Sequence, residues 1–97
     1  MIEITKDAIV CEARTIVTES GLDAVTITAL ARKFACSRGS IHYHIGCIEN
    51  LHRLLVNEAI EQRDIRVLSQ ALRGNPDIAR SIPPHLAAQA ARYLVQH

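Results

Sequence analysis

The chain has no tryptophan and only three aromatic residues, Phe34, Tyr43 and Tyr93, among 97. With three prolines, four glycines and an apolar content of 48% carried mainly by Ala, Ile, Leu and Val, it lacks the make-up of a β-sandwich or a disordered segment. An all-α fold is expected. Three widely spaced cysteines, Cys11, Cys36 and Cys47, do not suggest a disulfide framework and are expected to be buried as small hydrophobes. No uninterrupted apolar stretch approaches membrane-spanning length, and the first seven residues lack the basic and apolar regions of a secretory signal. The expectation is a soluble cytoplasmic protein with no membrane partner.

An excess of charge is also lacking: 11 basic against 10 acidic side chains leave a net charge of +1. Any attraction for nucleic acid must therefore come from the distribution of charge. The acids of the first half stop at Asp23 and resume at Glu49, so Arg32, Lys33 and Arg38 stand unopposed in sequence. A local basic face is expected there.

The length suits one domain, or one domain with an extension. Thr5 is placed to cap a first helix over about 6–20, with Ala8, Ile9, Ala13, Ile16 and Val17 recurring at helical spacing and Gly21 ending it. Thr26 caps a short second helix, about 27–34, and Ser37 caps a third, about 38–44. From Ile48 the apolar pattern runs through Leu51, Leu55, Ala59, Ile65, Leu68 and Leu72 to Gly74, which predicts one long helix of about 26 residues, roughly 39 Å. Asn75-Pro76 pairs an N-cap with proline at the first helical position, starting a short turn through Ile82. A last helix follows over about 85–96, with a stripe of Leu86, Ala87, Ala90, Ala91, Leu94 and Val95.

The third helix holds few apolar residues beyond Ile41, so packing does not account for its exposed face. A helix-turn-helix needs a bracing helix, a tight turn and a recognition helix with hydrogen-bond donors, small residues and nothing that repels phosphate. Ala31 is small where the two helices approach, and Leu30 and Ile41 can fill the space between them. Arg38, Gly39, Ser40, His42, Tyr43 and His44 would face DNA. Thr26 and Thr28 at the N-terminus of the second helix are candidates for a phosphate contact. Alternatives stand beside these roles: Arg38 as an ordinary solvated arginine, His42 as a core residue, Tyr43 packed beneath the following helix, and Thr26 as a cap alone.

Residues 5 to 55 resemble the tetracycline-repressor (TetR-like) family. Thr26, Leu30-Ala31, Ser37, Gly39-Ser40-Ile41, His44, Glu49 and Leu51 fall on its pattern, as do Ser20-Gly21-Leu22 and Val25-Thr26. Ala35, His42, Ile45 and Ile48 depart from it, standing for glycine, tyrosine, phenylalanine and lysine. The resemblance implies a TetR-like three-helix DNA-binding domain over residues 1–47, with 48–97 a helical extension serving dimerisation. It further implies a transcriptional regulator, usually a repressor, that binds double-stranded DNA as a homodimer. Only 23 residues follow Gly74, too few to enclose the family's usual small-molecule pocket, so no effector is expected.

Two other functional classes fit the same sequence. One is a structural DNA-binding protein for replication, partition or packaging in a phage or mobile element; the other is a protein-binding adaptor whose DNA helix has decayed. Catalysis is not expected, because the chain has no Gly-rich phosphate loop, no zinc-hydrolase motif and no acid between 24 and 48 to orient a histidine. Cys36, His42, His44, Cys47 and His52 are zinc-ligand types, but they lack Cys-x-x-Cys or His-x3-His spacing. Neither metal nor cofactor is expected.

Overall fold

The computed structural model describes residues 4–96, and the sequence readings at Met1, Ile2, Glu3 and His97 lie outside them. Among the described residues the regular elements are all helical: α1 (Lys6–Ser20), a 3-10 turn (Leu22–Ala24), α2 (Ile27–Phe34), α3 (Arg38–Ile45), α4 (Ile48–Gln62), α5 (Ile65–Gly74), α6 (Pro76–Ala79) and α7 (Pro84–Gln96). They divide into two compact units, Met1–His52 and Arg53–His97, with the division falling inside α4.

In the first unit each of the three opening helices starts at a hydroxyl. Thr5 Oγ1 accepts from the Ala8 amide at 3.1 Å, Thr26 Oγ1 from Ala29 at 3.1 Å, and Ser37 Oγ from Ser40 at 3.2 Å. Each bond satisfies an otherwise orphaned amide and is worth about 1 kcal/mol. Gly21 ends α1 with φ 95, a backbone region that a side chain would strain. Ile9, Ala13, Val25, Leu30 and Ile41 are wholly buried in this unit. At roughly 1.5–3 kcal/mol for each large aliphatic side chain, this burial far outweighs the 3.7 Å ion pair between Lys33 and Glu12, since such exposed pairs contribute at most about 1 kcal/mol.

The long helix expected over residues 48–73 is instead two helices. Arg63 adopts φ 55, its amide donates to the Ile60 carbonyl at 3.2 Å, and the Asp64 amide reaches back to the Ala59 carbonyl at 2.8 Å. This is a left-handed C-terminal cap. Asp64 then restarts the chain, its carboxylate accepting from the Val67 amide at 3.4 Å. The buried face changes phase at the break: Val67, Leu68 and Ala71 are buried, whereas Ile65 and Leu72 are only half-buried.

In the second unit α5 packs against α7 and α6. Asn75 caps α6 as its sequence indicates, with its side chain accepting from Ile78 at 3.4 Å and Pro76 at the first helical position. Ile78, Ile82, Leu86 and Ala90 are buried. Of the six residues of the α7 stripe, Leu86 and Ala90 are thus buried within the chain and Ala87 and Leu94 are half-buried, while Ala91 and Val95 remain exposed, Val95 at 88%. The cysteines depart from expectation: Cys11 and Cys47 are exposed and Cys36 is half-buried. No described helix is long and apolar enough to cross a membrane.

Candidate nucleic-acid interface

The turn between α2 and α3 is set by Ala35, which takes left-handed angles of φ 51 and ψ 46. The Cys36 amide then donates to the Ala31 carbonyl at 3.0 Å, closing α2. Ser37 follows in extended conformation and opens α3, and its Oγ lies 3.1 Å from the Ser40 Oγ. Ile41 and Ile45 turn inward and are buried, which fixes the rotation of α3 about its axis. The opposite face is left to solvent.

That face carries Arg38, Gly39, His42 and Tyr43, all exposed, with Ser40 and His44 half-buried at its edges. Tyr43 is 86% exposed, so it is not packed beneath α4. Its ring meets that of His44 edge-on, with centroids 5.2 Å apart and planes at 85°, a geometry that limits the tyrosine's freedom without burying it. Gly39 has open space around the place a side chain would take, the nearest atom being Ser37 Oγ at 3.8 Å. Nothing within the chain requires glycine there.

His42 is exposed rather than packed in the core, and its Nδ1 lies 2.9 Å from the Gly46 carbonyl oxygen. A carbonyl only accepts, so Nδ1 carries the hydrogen and donates. The neutral ring therefore presents a bare Nε2, and only the imidazolium form donates from that nitrogen. A phosphate contact through His42 Nε2 thus calls for the charged ring.

At the start of α2, Thr26 spends its hydroxyl oxygen on the Ala29 amide, and Thr28 is exposed in a first turn that contains no acidic residue. The expected trio of unopposed cations is reduced. Glu12 of α1 lies 3.7 Å from Lys33, a pairing that the acid-free stretch of sequence conceals because the partner is 21 positions away. Arg32 and Arg38 are exposed.

Sequence reasoning missed the role of His52. Its Nε2–H donates to the Val25 carbonyl at 2.7 Å across 27 residues, tying the start of α4 to the residue before the Thr26 cap. No spacing rule signals such a bond, because it depends on the completed packing. Among the described residues no group of three or more His, Cys, Asp or Glu side chains is placed to hold a metal ion. Comparison with protein-family models, with curated proteins and with solved structures gave no match.

Proposed function

We propose that the chain is a sequence-specific DNA-binding transcriptional regulator, a repressor with a TetR-like helix-turn-helix, that acts as a homodimer on an inverted-repeat operator. The observation that carries this reading is the outward face of α3. Arg38, Gly39, His42 and Tyr43 are all exposed on a helix anchored by Ile41 and Ile45. Such a face supplies a guanidinium for guanine or phosphate, a small residue for close approach and a phenol for phosphate or a thymine methyl.

Two copies of α3 would occupy successive major grooves about 34 Å apart. Thr26 and Thr28 would meet the flanking phosphate backbone, with His52 steadying that end of α2 through Val25. Dimerisation would use the Arg53–His97 unit, where Ala91 and Val95 leave an apolar strip open on α7. An operator overlapping a promoter would then exclude polymerase.

The test is selection of bound sites from random DNA, followed by titration of the selected site with the native protein and with Arg38→Ala. The substitution should weaken specific binding by about 1–3 kcal/mol. An unchanged affinity at physiological salt, or a selection that yields no inverted repeat, counts against the assignment.

A further inference from the structure

His42 is tied to Gly46 by its backbone and by its ring. The Gly46 amide donates to the His42 carbonyl at 2.8 Å, closing α3, and the His42 Nδ1 donates to the Gly46 carbonyl at 2.9 Å. Glycine fits this turn for two reasons: φ is 76, which strains a residue with a Cβ, and an added Cβ would lie 3.0 Å from Asn50 Nδ2. The ring is thus anchored through one nitrogen on the exposed face of α3. Its other nitrogen, Nε2, has no hydrogen-bond partner among the described residues. Protonation changes that nitrogen alone: the Nδ1–H bond to Gly46 is the same in the neutral and the charged ring, so the ring keeps its direction while Nε2 passes from acceptor to donor.

Given the DNA-binding reading of α3, on which this rests, we propose that His42 makes DNA binding proton-linked. Each protomer takes up one proton from solvent at His42 Nε2 as that nitrogen meets a backbone phosphate, so affinity rises as pH falls through the histidine range. A bare Nε2 and a phosphate oxygen are both acceptors and form no bond, whereas the imidazolium offers a charge-assisted one. Moving the hydrogen of the neutral ring to Nε2 would break the Gly46 bond and set Nδ1 against a carbonyl oxygen, again two acceptors. Uptake of a proton satisfies both partners.

The surrounding charges leave this role to the phosphate. His42 lies in the last turn of α3, where the helix dipole favours a cation. On α3 its titratable neighbours are Arg38, one turn earlier, Tyr43 and His44. Of the helices packed against α3, α2 brings Arg32 and Lys33, and α1 brings Asp7, Glu12 and Glu19 beside Lys6, Cys11 and Arg14. The turn before α3 holds Cys36, and the start of α4 adds Cys47, Glu49 and His52. Among the described residues none of these groups is paired with the His42 ring. His52 differs in kind, because its Nε2 already donates to the Val25 carbonyl.

The test is an anisotropy titration of the full chain with a labelled duplex carrying a site selected from random DNA, at constant ionic strength, from about pH 8 to about pH 6. Native binding should tighten at least about fivefold over that range, the ceiling being about tenfold per pH unit for each proton taken up. His42→Gln keeps a neutral donor that cannot be charged, so its affinity should change by less than about twofold. His44→Gln should retain the native response. The thermal midpoint of His42→Gln should stay near that of the native protein, since the position is exposed. Without DNA, a nitrogen–proton correlation spectrum of the histidine rings above about pH 8 should show the His42 hydrogen on Nδ1. A hydrogen on Nε2 would overturn the proposal, as would a His42→Gln variant with the native pH response. Specific binding that ignores pH removes the proton linkage and leaves the DNA-binding reading standing; absence of binding at every pH removes both.

Discussion

The Asp64 amide donates to the Ala59 carbonyl at 2.8 Å across Arg63, which is held at φ 55. For a residue with a Cβ this conformation costs about 1–2 kcal/mol, yet it lets Asp64 cap the next helix. Arg63→Gly should therefore raise stability by about 0.5–1 kcal/mol, part of the relief being lost to the greater freedom of glycine in the unfolded chain. Asp64→Ala should lower it by about 0.5–1 kcal/mol, in the lower part of the capping range because the 3.4 Å bond is long. Urea denaturation of the two variants measures both effects. Destabilisation by Arg63→Gly would mean that the arginine side chain itself holds the break.

Ala35 presents the same relationship in the first unit, at φ 51 and ψ 46 with the Cys36 amide returning to Ala31. Ala35→Gly should increase the stability of this unit by up to about 1 kcal/mol. The position is exposed, so no packing is lost. A thermal midpoint that falls would show that the left-handed turn does not carry the strain assigned to it.

The three opening helices were legible because their boundaries are local. Thr5, Thr26 and Ser37 cap helices whose amides lie three residues away, and sequence displays that spacing directly. The break between α4 and α5 was hidden because Arg63 is neither glycine nor proline. Asp64, an N-cap residue inside an apolar pattern, was its one local sign. The face of α3 was legible for the same reason that α3 was, since burying Ile41 and Ile45 leaves its other residues nowhere to go but outward. The environments of Lys33, His52 and the cysteines depend on partners or exposure set by tertiary packing, which no local pattern encodes.

Lys33 bears on the proposed interface through its partner. Its side chain is 55% exposed and that of Glu12 30%, so the pair is solvent-screened and adds little to stability. Near DNA, however, that carboxylate both neutralises a cation and repels phosphate. Glu12→Gln should leave the denaturation midpoint nearly unchanged and strengthen DNA binding by about two- to fivefold at low salt, within the roughly 1 kcal/mol of a surface pair. A salt titration reads the effect, and the gain should shrink as ionic strength rises. Unchanged binding by the variant at low salt would place Glu12 and Lys33 away from the DNA.

Gly39 separates the demands of the fold from those of the proposed function. It lies within α3 and is exposed, and an added Cβ would meet nothing closer than Ser37 Oγ at 3.8 Å. Helical alanine is favoured over glycine by about 0.5–1 kcal/mol, so Gly39→Ala should stabilise the protein by about that amount. Gly39→Leu should also fold, because its side chain would point into solvent. If α3 enters the major groove, the bulk that the free protein tolerates must collide with base edges or hold the helix away from them. DNA affinity should then fall modestly for alanine and at least about tenfold for leucine, a loss of about 1.4 kcal/mol or more, while the denaturation midpoint stays at or above that of the native chain. Stability and DNA affinity would move in opposite directions, which loss of fold cannot produce. A leucine variant that binds the selected operator as tightly as the native protein would remove this face of α3 from the DNA interface.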